Sequence, residues 1–117
     1  MARLRSDFWV SAYLRRCALE GVDAVLRRRG SAEAGAIFVK VDRMGGTADL
    51  YGPAPQALVA EGETERRFAP IVGDAPVADV EERMRREVKF DPDLWLVECD
   101  DRQGRHFLDL APDGPGA

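Results

Sequence analysis

Apolar and polar positions change period several times along this chain, and each change marks an element. Val10, Leu14, Cys17, Ala18 and Gly21 recur at helical spacing, with Arg15, Arg16 and Glu20 off the stripe. The spacing predicts a helix that starts at Phe8 under a Ser6 or Asp7 cap and stops at Gly21, where a left-handed residue costs little. From Val22 the sequence VDAVL is β-branched and alternates weakly. An extension of the helix is one reading of it, and a strand ending in the run Arg27-Arg28-Arg29 is the better one. A loop follows from Gly30. Gly35 to Arg43 (GAIFVKVDR) predicts a second strand, nearly continuous in apolar residues to Val41 and so buried on both faces at its start. Gly45-Gly46 turns the chain, and Thr47 to Tyr51 returns as a third strand.

Between Gly52 and Gly73 the pattern blurs. Pro53, Pro55 and Pro70 each remove a ladder donor, so Leu58-Val59 and Arg66 to Ile71 are edge strands at most. Pro76 suits the first position of a helix, and Val77, Val80, Met84 and Val88 form its narrow apolar stripe. Its other face carries Asp79/Arg83, Glu81/Arg85 and Glu82/Arg86 at i,i+4 spacing. Asp91 before Pro92 ends that helix near Phe90.

Leu94 to Cys99 (LWLVEC) predicts a strand, and Asp101 to Gly104 a type I turn with a bulge, followed by a return strand to Leu110. In that hairpin Asp101 faces Arg105 and Asp100 lies opposite His106, whose imidazolium the carboxylate would favour. Cys99 lies opposite Phe107. Alternation puts Cys99 and His106 on opposite faces, which removes them as a nucleophile and base pair.

The element order α-β-β-β-(β)-α-β-β predicts an α+β fold: a two-layer domain, a mainly antiparallel sheet of about five strands with two helices covering one face. Residues 1–110 form one domain by size, and 111–117 (APDGPGA) have little to bury and read as a disordered tail.

Composition narrows the function classes. The chain carries 17 basic and 21 acidic residues, a net charge of −4, which opposes bulk affinity for nucleic acid. Charge is uneven: residues 1–30 hold seven basic and three acidic groups, and residues 61–117 hold eight and 15. Of the basic residues 15 are arginine, while asparagine is absent and isoleucine occurs twice, a bias that GC-rich coding explains before any phosphate site does. Cys17 and Cys99 stand in apolar surroundings with no CxxC and no histidine at ligand spacing, which predicts two reduced core thiols in a cytoplasmic protein. No run approaches the length of a membrane span, and the N-terminus lacks a secretory apolar core.

Chemistry is sparse. There is no phosphate loop, since Gly45-Gly46 lacks the spacing and lysine of one. There is no zinc set and no serine elbow. The acidic residues Asp91, Asp93, Glu98, Asp100 and Asp101 lack an EF-hand pattern. No cofactor and no catalytic residue is expected. Two surfaces remain: an interaction face of Phe8, Trp9 and Tyr13, because one helix cannot turn all its bulky residues onto a single stripe, and an anion or ligand site drawn from Arg28, Arg29, Asp100 and His106, with Glu98. On strict alternation Arg27 and Arg29 share one face of their strand and Arg28 takes the other.

The stretches FWVSAYLRRC (Phe8 to Cys17), RRGSAEAGAIFVKVDR (Arg28 to Arg43), RRFAP (Arg66 to Pro70) and FDPDLWLVECDDRQGRH (Phe90 to His106) resemble a small family of unknown function found mainly in alphaproteobacteria. The resemblance spans nearly the whole chain. It implies an alphaproteobacterial source but brings no activity, cofactor or site. The expectation is a non-enzymatic cytoplasmic interaction or regulatory module with a protein partner or self-association. The rival is a small enzyme or small-molecule binder using His106, Asp100 and Glu98 with arginines holding an anion.

Overall fold

A computed structural model describes residues 4–55 and 66–112. Helix α1 (Ser6–Leu19) leads into strands β1 (Asp23–Arg28), β2 (Ile37–Asp42), β3 (Thr47–Pro53) and β4 (Phe68–Pro76), then helix α2 (Val77–Phe90) and strand β5 (Trp95–Asp100). The class is α+β, with two helices and a mixed five-stranded sheet in the order β1-β5-β2-β3-β4. Only β2 and β5 run parallel; the other three pairings are antiparallel. The expected edge strand at Arg66 to Ile71 is β4, which does end the sheet. The Leu58-Val59 strand and most of the tail lie outside the described residues.

The helices cover opposite faces rather than one. Along β2 and β5, Ile37, Val39, Val41, Trp95, Val97 and Cys99 pack with Val10, Tyr13 and Cys17 of α1. The alternate residues Phe38 and Leu96 pack with Val80 and Met84 of α2. Both faces of the central strands are apolar, so each needs a cover. The sheet is thus the middle of three layers.

The expected return strand does not form, and the topology explains why. Chain leaving α2 inserts β5 between β1 and β2, so both edges of β5 are already occupied. The turn itself is as expected: the Gly104 N–H donates to the Asp101 carbonyl at 3.0 Å, Gly104 has φ +73, and Arg105 pairs with Asp101 at 2.8 Å. Beyond it the chain crosses the α1 face and pairs near its end with the start of β4, where Phe68 and Leu110 form a parallel bridge.

Helix α1 starts two residues before the expected Phe8. Ser6 is not its cap; its hydroxyl donates to the Gly35 carbonyl at 2.7 Å. At the other end Gly21, φ +76, closes the helix as read from sequence, with the Val22 N–H donating to the Cys17 carbonyl at 2.9 Å. The buried stripe is Val10, Tyr13 and Cys17, with Leu14 half-buried and packed against the same core. Helix α2 buries Val80 and Met84 as expected. Its ion pairs are not the three expected: Glu81 turns inward to Arg27, Arg83 pairs with Glu87 rather than Asp79, and Glu82 pairs with Arg85 rather than Arg86.

Candidate functional site

The chemistry of this fold gathers along β1, the strand that ends the sheet beside β5. Its register against β5 slips once: Leu26 faces Val97, Arg28 faces Leu96, and Arg27 is the extra residue. A bulge of this kind breaks strict alternation. Leu26 stays on the α1 face, while Arg27 and Arg28 both line a cleft on the α2 face. Arg29 lies on the α1 side, its guanidinium 5.3 Å from the Trp95 ring centre. The expected sharing of a face by Arg27 and Arg29 is therefore overturned.

Arg27 is well matched. It donates to Glu81 at 2.7 Å and to Glu98, and Lys40, 3% exposed, reaches the same carboxylates at 2.8 and 3.3 Å. Arg27, and then Lys40, hold the Glu81 carboxyl down at about 2 against an ordinary 4.5. Arg28 is less well matched. One of its terminal nitrogens donates to the Pro92 carbonyl at 2.6 Å, but its Nε is buried with no acceptor. An orphaned buried donor of this sort costs about 1–3 kcal/mol.

The cleft on this side has a volume of about 340 Å³. Met84, Val88 and Leu96 floor it, and Arg28, Arg85 and Lys89 stand around them. A second cleft of about 300 Å³ opens on the α1 side of β1, among Phe8, Leu14, Leu26, Arg29 and Trp95. Among the described residues β1 thus has an open ladder edge and a cleft on each face.

The residues singled out from sequence are dispersed. Phe8 is exposed, with Arg5 over its ring at 5.2 Å. Trp9 is half-buried, stacks on Tyr13 and meets Phe68 at a tilt, both with ring centres 5.1 Å away. Tyr13 is buried, and its hydroxyl donates to the His106 carbonyl at 2.8 Å. The three aromatics do not share one surface. Arg28 sits opposite Leu96 and Asp100 opposite Asp23, at opposite ends of the β1/β5 pair, so the arginines and Asp100 do not converge.

His106 is on the other side of the sheet, against the Tyr51 ring at 4.9 Å. Its Nδ1 accepts the Leu108 N–H at 2.9 Å. With no return strand, Asp100 is not its partner, and burial lowers the imidazole pKa from the ordinary 6.5, opposed by Asp49. The expected rise is corrected to a fall.

Asp42, Glu98 and Asp100 bring carboxylate oxygens within 4.8 Å of one another. Burial, then repulsion from Glu98, Asp42 and Asp23, raises the Asp100 pKa. Cys17 and Cys99 are free and fully buried. The Tyr13 hydroxyl lies 3.6 Å from the Cys99 sulfur, and in this cluster the Cys99 thiol lowers the pKa of Cys17 while Cys99 itself is pushed up by Cys17 and burial.

Sequence reading missed Lys40, Glu81, Arg85 and Lys89 as parts of one site. Lys40 had left a signal, as the one charge inside the apolar run IFVKV. Arg85 and Lys89 had none, since cations at i,i+4 on a solvated helix face look alike wherever the helix docks.

The model of a family described as a protein of unknown function, DUF1491, matches residues 4–109. Two solved structures of a DUF1491 protein from Caulobacter crescentus are similar to this chain. The crystal structure shares 38% identity over 95% of this chain and 98% of that one, with a TM-score of 0.76. The NMR structure shares 39% over 97% and 100%, also at 0.76. The solution structure of an A. tumefaciens protein shares 37% over 98% and 99%, at 0.79. Among curated proteins, none matches.

Proposed function

The chain belongs to the DUF1491 family, whose similar members carry no assigned function, and from its own surface we propose a non-enzymatic, cytoplasmic interaction module working through the open edge of β1. The observation that supports it is the position of β1 at the end of the sheet, with no described strand on its outer side and a cleft along each face. Free N–H and C=O groups on such an edge accept a further strand. The two buried thiols suit a reducing compartment.

The complementary strand closest at hand is β1 of a second copy. Directly opposed residues must share a face, so an antiparallel pairing that keeps both α2 faces together centres on one residue. Centred on Val25, it sets Asp23 against Arg27, Ala24 against Leu26 and Val25 against itself. Val25 is 56% exposed, so its burial is available to such a contact. Opposed pairs contribute about 0.2–1 kcal/mol each, and the bulge after Leu26 limits the ladder to a few residues. The association is therefore weak and reversible.

Sedimentation of the full chain from micromolar to about 1 mM tests this, with weak affinity expected in that range. Self-association should appear and be abolished by Val25→Lys and by Asp23→Arg. A monomer throughout, or dimers indifferent to both substitutions, refutes the edge as the contact.

A further inference from the structure

We propose that the cleft between β1 and α2 is a binding site for a small amphiphilic oxyanion, a carboxylate or phosphate head on an apolar body. This goes beyond edge pairing and does not depend on it. The floor is apolar, made of Met84, Val88 and Leu96. Its volume of about 340 Å³ lies at the small end of the ligand-site range of about 300–1,000 Å³.

Charge decides the head group. Among the described residues Glu81 is the one acid lining the cleft, and Arg27 and Lys40 already neutralise it. The bulge adds Arg28 to the same wall as Arg27, and Arg28 has no carboxylate partner among the described residues. Its Nε is buried without an acceptor, and among the described residues its one hydrogen bond is to the Pro92 carbonyl. Across the floor Lys89 has no carboxylate partner among the described residues, and Arg85 has only the exposed Glu82. An oxyanion at this rim supplies the missing countercharge and is held by charge-assisted hydrogen bonds. Its apolar part lies over Met84 and Val88, where a purely inorganic anion leaves the floor wet.

The test uses the full chain, ¹⁵N-labelled, titrated in parallel with octanoate, octyl phosphate, octanol and inorganic phosphate. Octanoate or octyl phosphate should bind and shift the amides of Arg28, Met84, Val88, Lys89 and Leu96, the tighter of the two naming the head group. Octanol and inorganic phosphate should each bind at least about tenfold more weakly. Lys89→Glu and Arg85→Glu, both on exposed positions of α2, should weaken the amphiphile at least about tenfold, while Arg15→Glu on α1 should not. Octanol as tight as octanoate would reduce the cleft to an apolar groove, and phosphate as tight as octyl phosphate would reduce it to a basic patch. Either result overturns the proposal, as does binding indifferent to the two α2 substitutions.

Discussion

Replacing Lys40 with methionine tests whether the charged network under α2 holds the helix to the sheet. The substitution keeps side-chain length but removes a cation that is 3% exposed and lies 2.8 Å from Glu81 and 3.3 Å from Glu98. Removing one partner of a buried ion pair costs about 3–5 kcal/mol, because the other charge is left stranded. Here Arg27 still donates to both carboxylates, and 26% of the Glu81 side chain reaches solvent. The expected loss is therefore about 2–3 kcal/mol at neutral pH, or a fall in Tm of roughly 6–12 °C for a domain of this size. The sign of its pH dependence follows from Glu81. A folded pKa of about 2 against 4.5 means that Glu81 stabilises the protein above about pH 4.5, a contribution lost as pH falls toward about 2. Without Lys40 the folded value climbs back toward the ordinary one, so the variant has less to lose in acid. Urea denaturation followed by circular dichroism should show the gap between the two proteins shrinking from about pH 7 to about pH 3. A loss below about 1 kcal/mol at neutral pH, or one of equal size at both, would refute the network as the cause.

His106 should titrate below about 6.5 by NMR, because burial favours the neutral ring, and stability should fall as pH drops through about 6.5 toward the folded value. His106→Gln should remove that dependence; a midpoint above about 6.5 would restore a carboxylate partner. Gly30→Ala should cost about 3 kcal/mol or more in thermal denaturation, because its Cβ would run into the Asp93 carbonyl oxygen and the Leu94 backbone at 2.6 and 2.7 Å. Gly45→Ala, with nothing within 4 Å, should stay within about 0.5 kcal/mol of the parent.

The local elements were legible because their signals are local. Gly21 stops α1 through its own backbone freedom, the Val80/Met84 stripe faces the sheet at helical spacing, and Asp101 with Gly104 makes its turn from neighbours in sequence. Pro70 marked β4 as an edge strand by removing a ladder donor. The apolar run of β2 also marked its start as buried on both faces, although the expected two-layer arrangement put both helices on one face. Which helix covers which face was not written there, because an apolar stripe on either helix fits either side of the sheet.

Tertiary structure decided the rest, and one event accounts for most of it. The crossover through α2 inserts β5 between β1 and β2, which leaves the segment after Gly104 no free edge of β5 to pair with. That single placement separates His106 from Asp100, lays it against Tyr51 and reverses the direction of its pKa shift. It also brings Glu98 between Lys40 and Arg27, residues 58 and 71 positions away from it in the chain. The bulge at Arg27 is a product of the same pairing, and it alone sets Arg27 and Arg28 side by side over α2. Pair register depends on which strands meet, a long-range choice that no window of sequence contains, so the site along β1 became visible only in the folded chain.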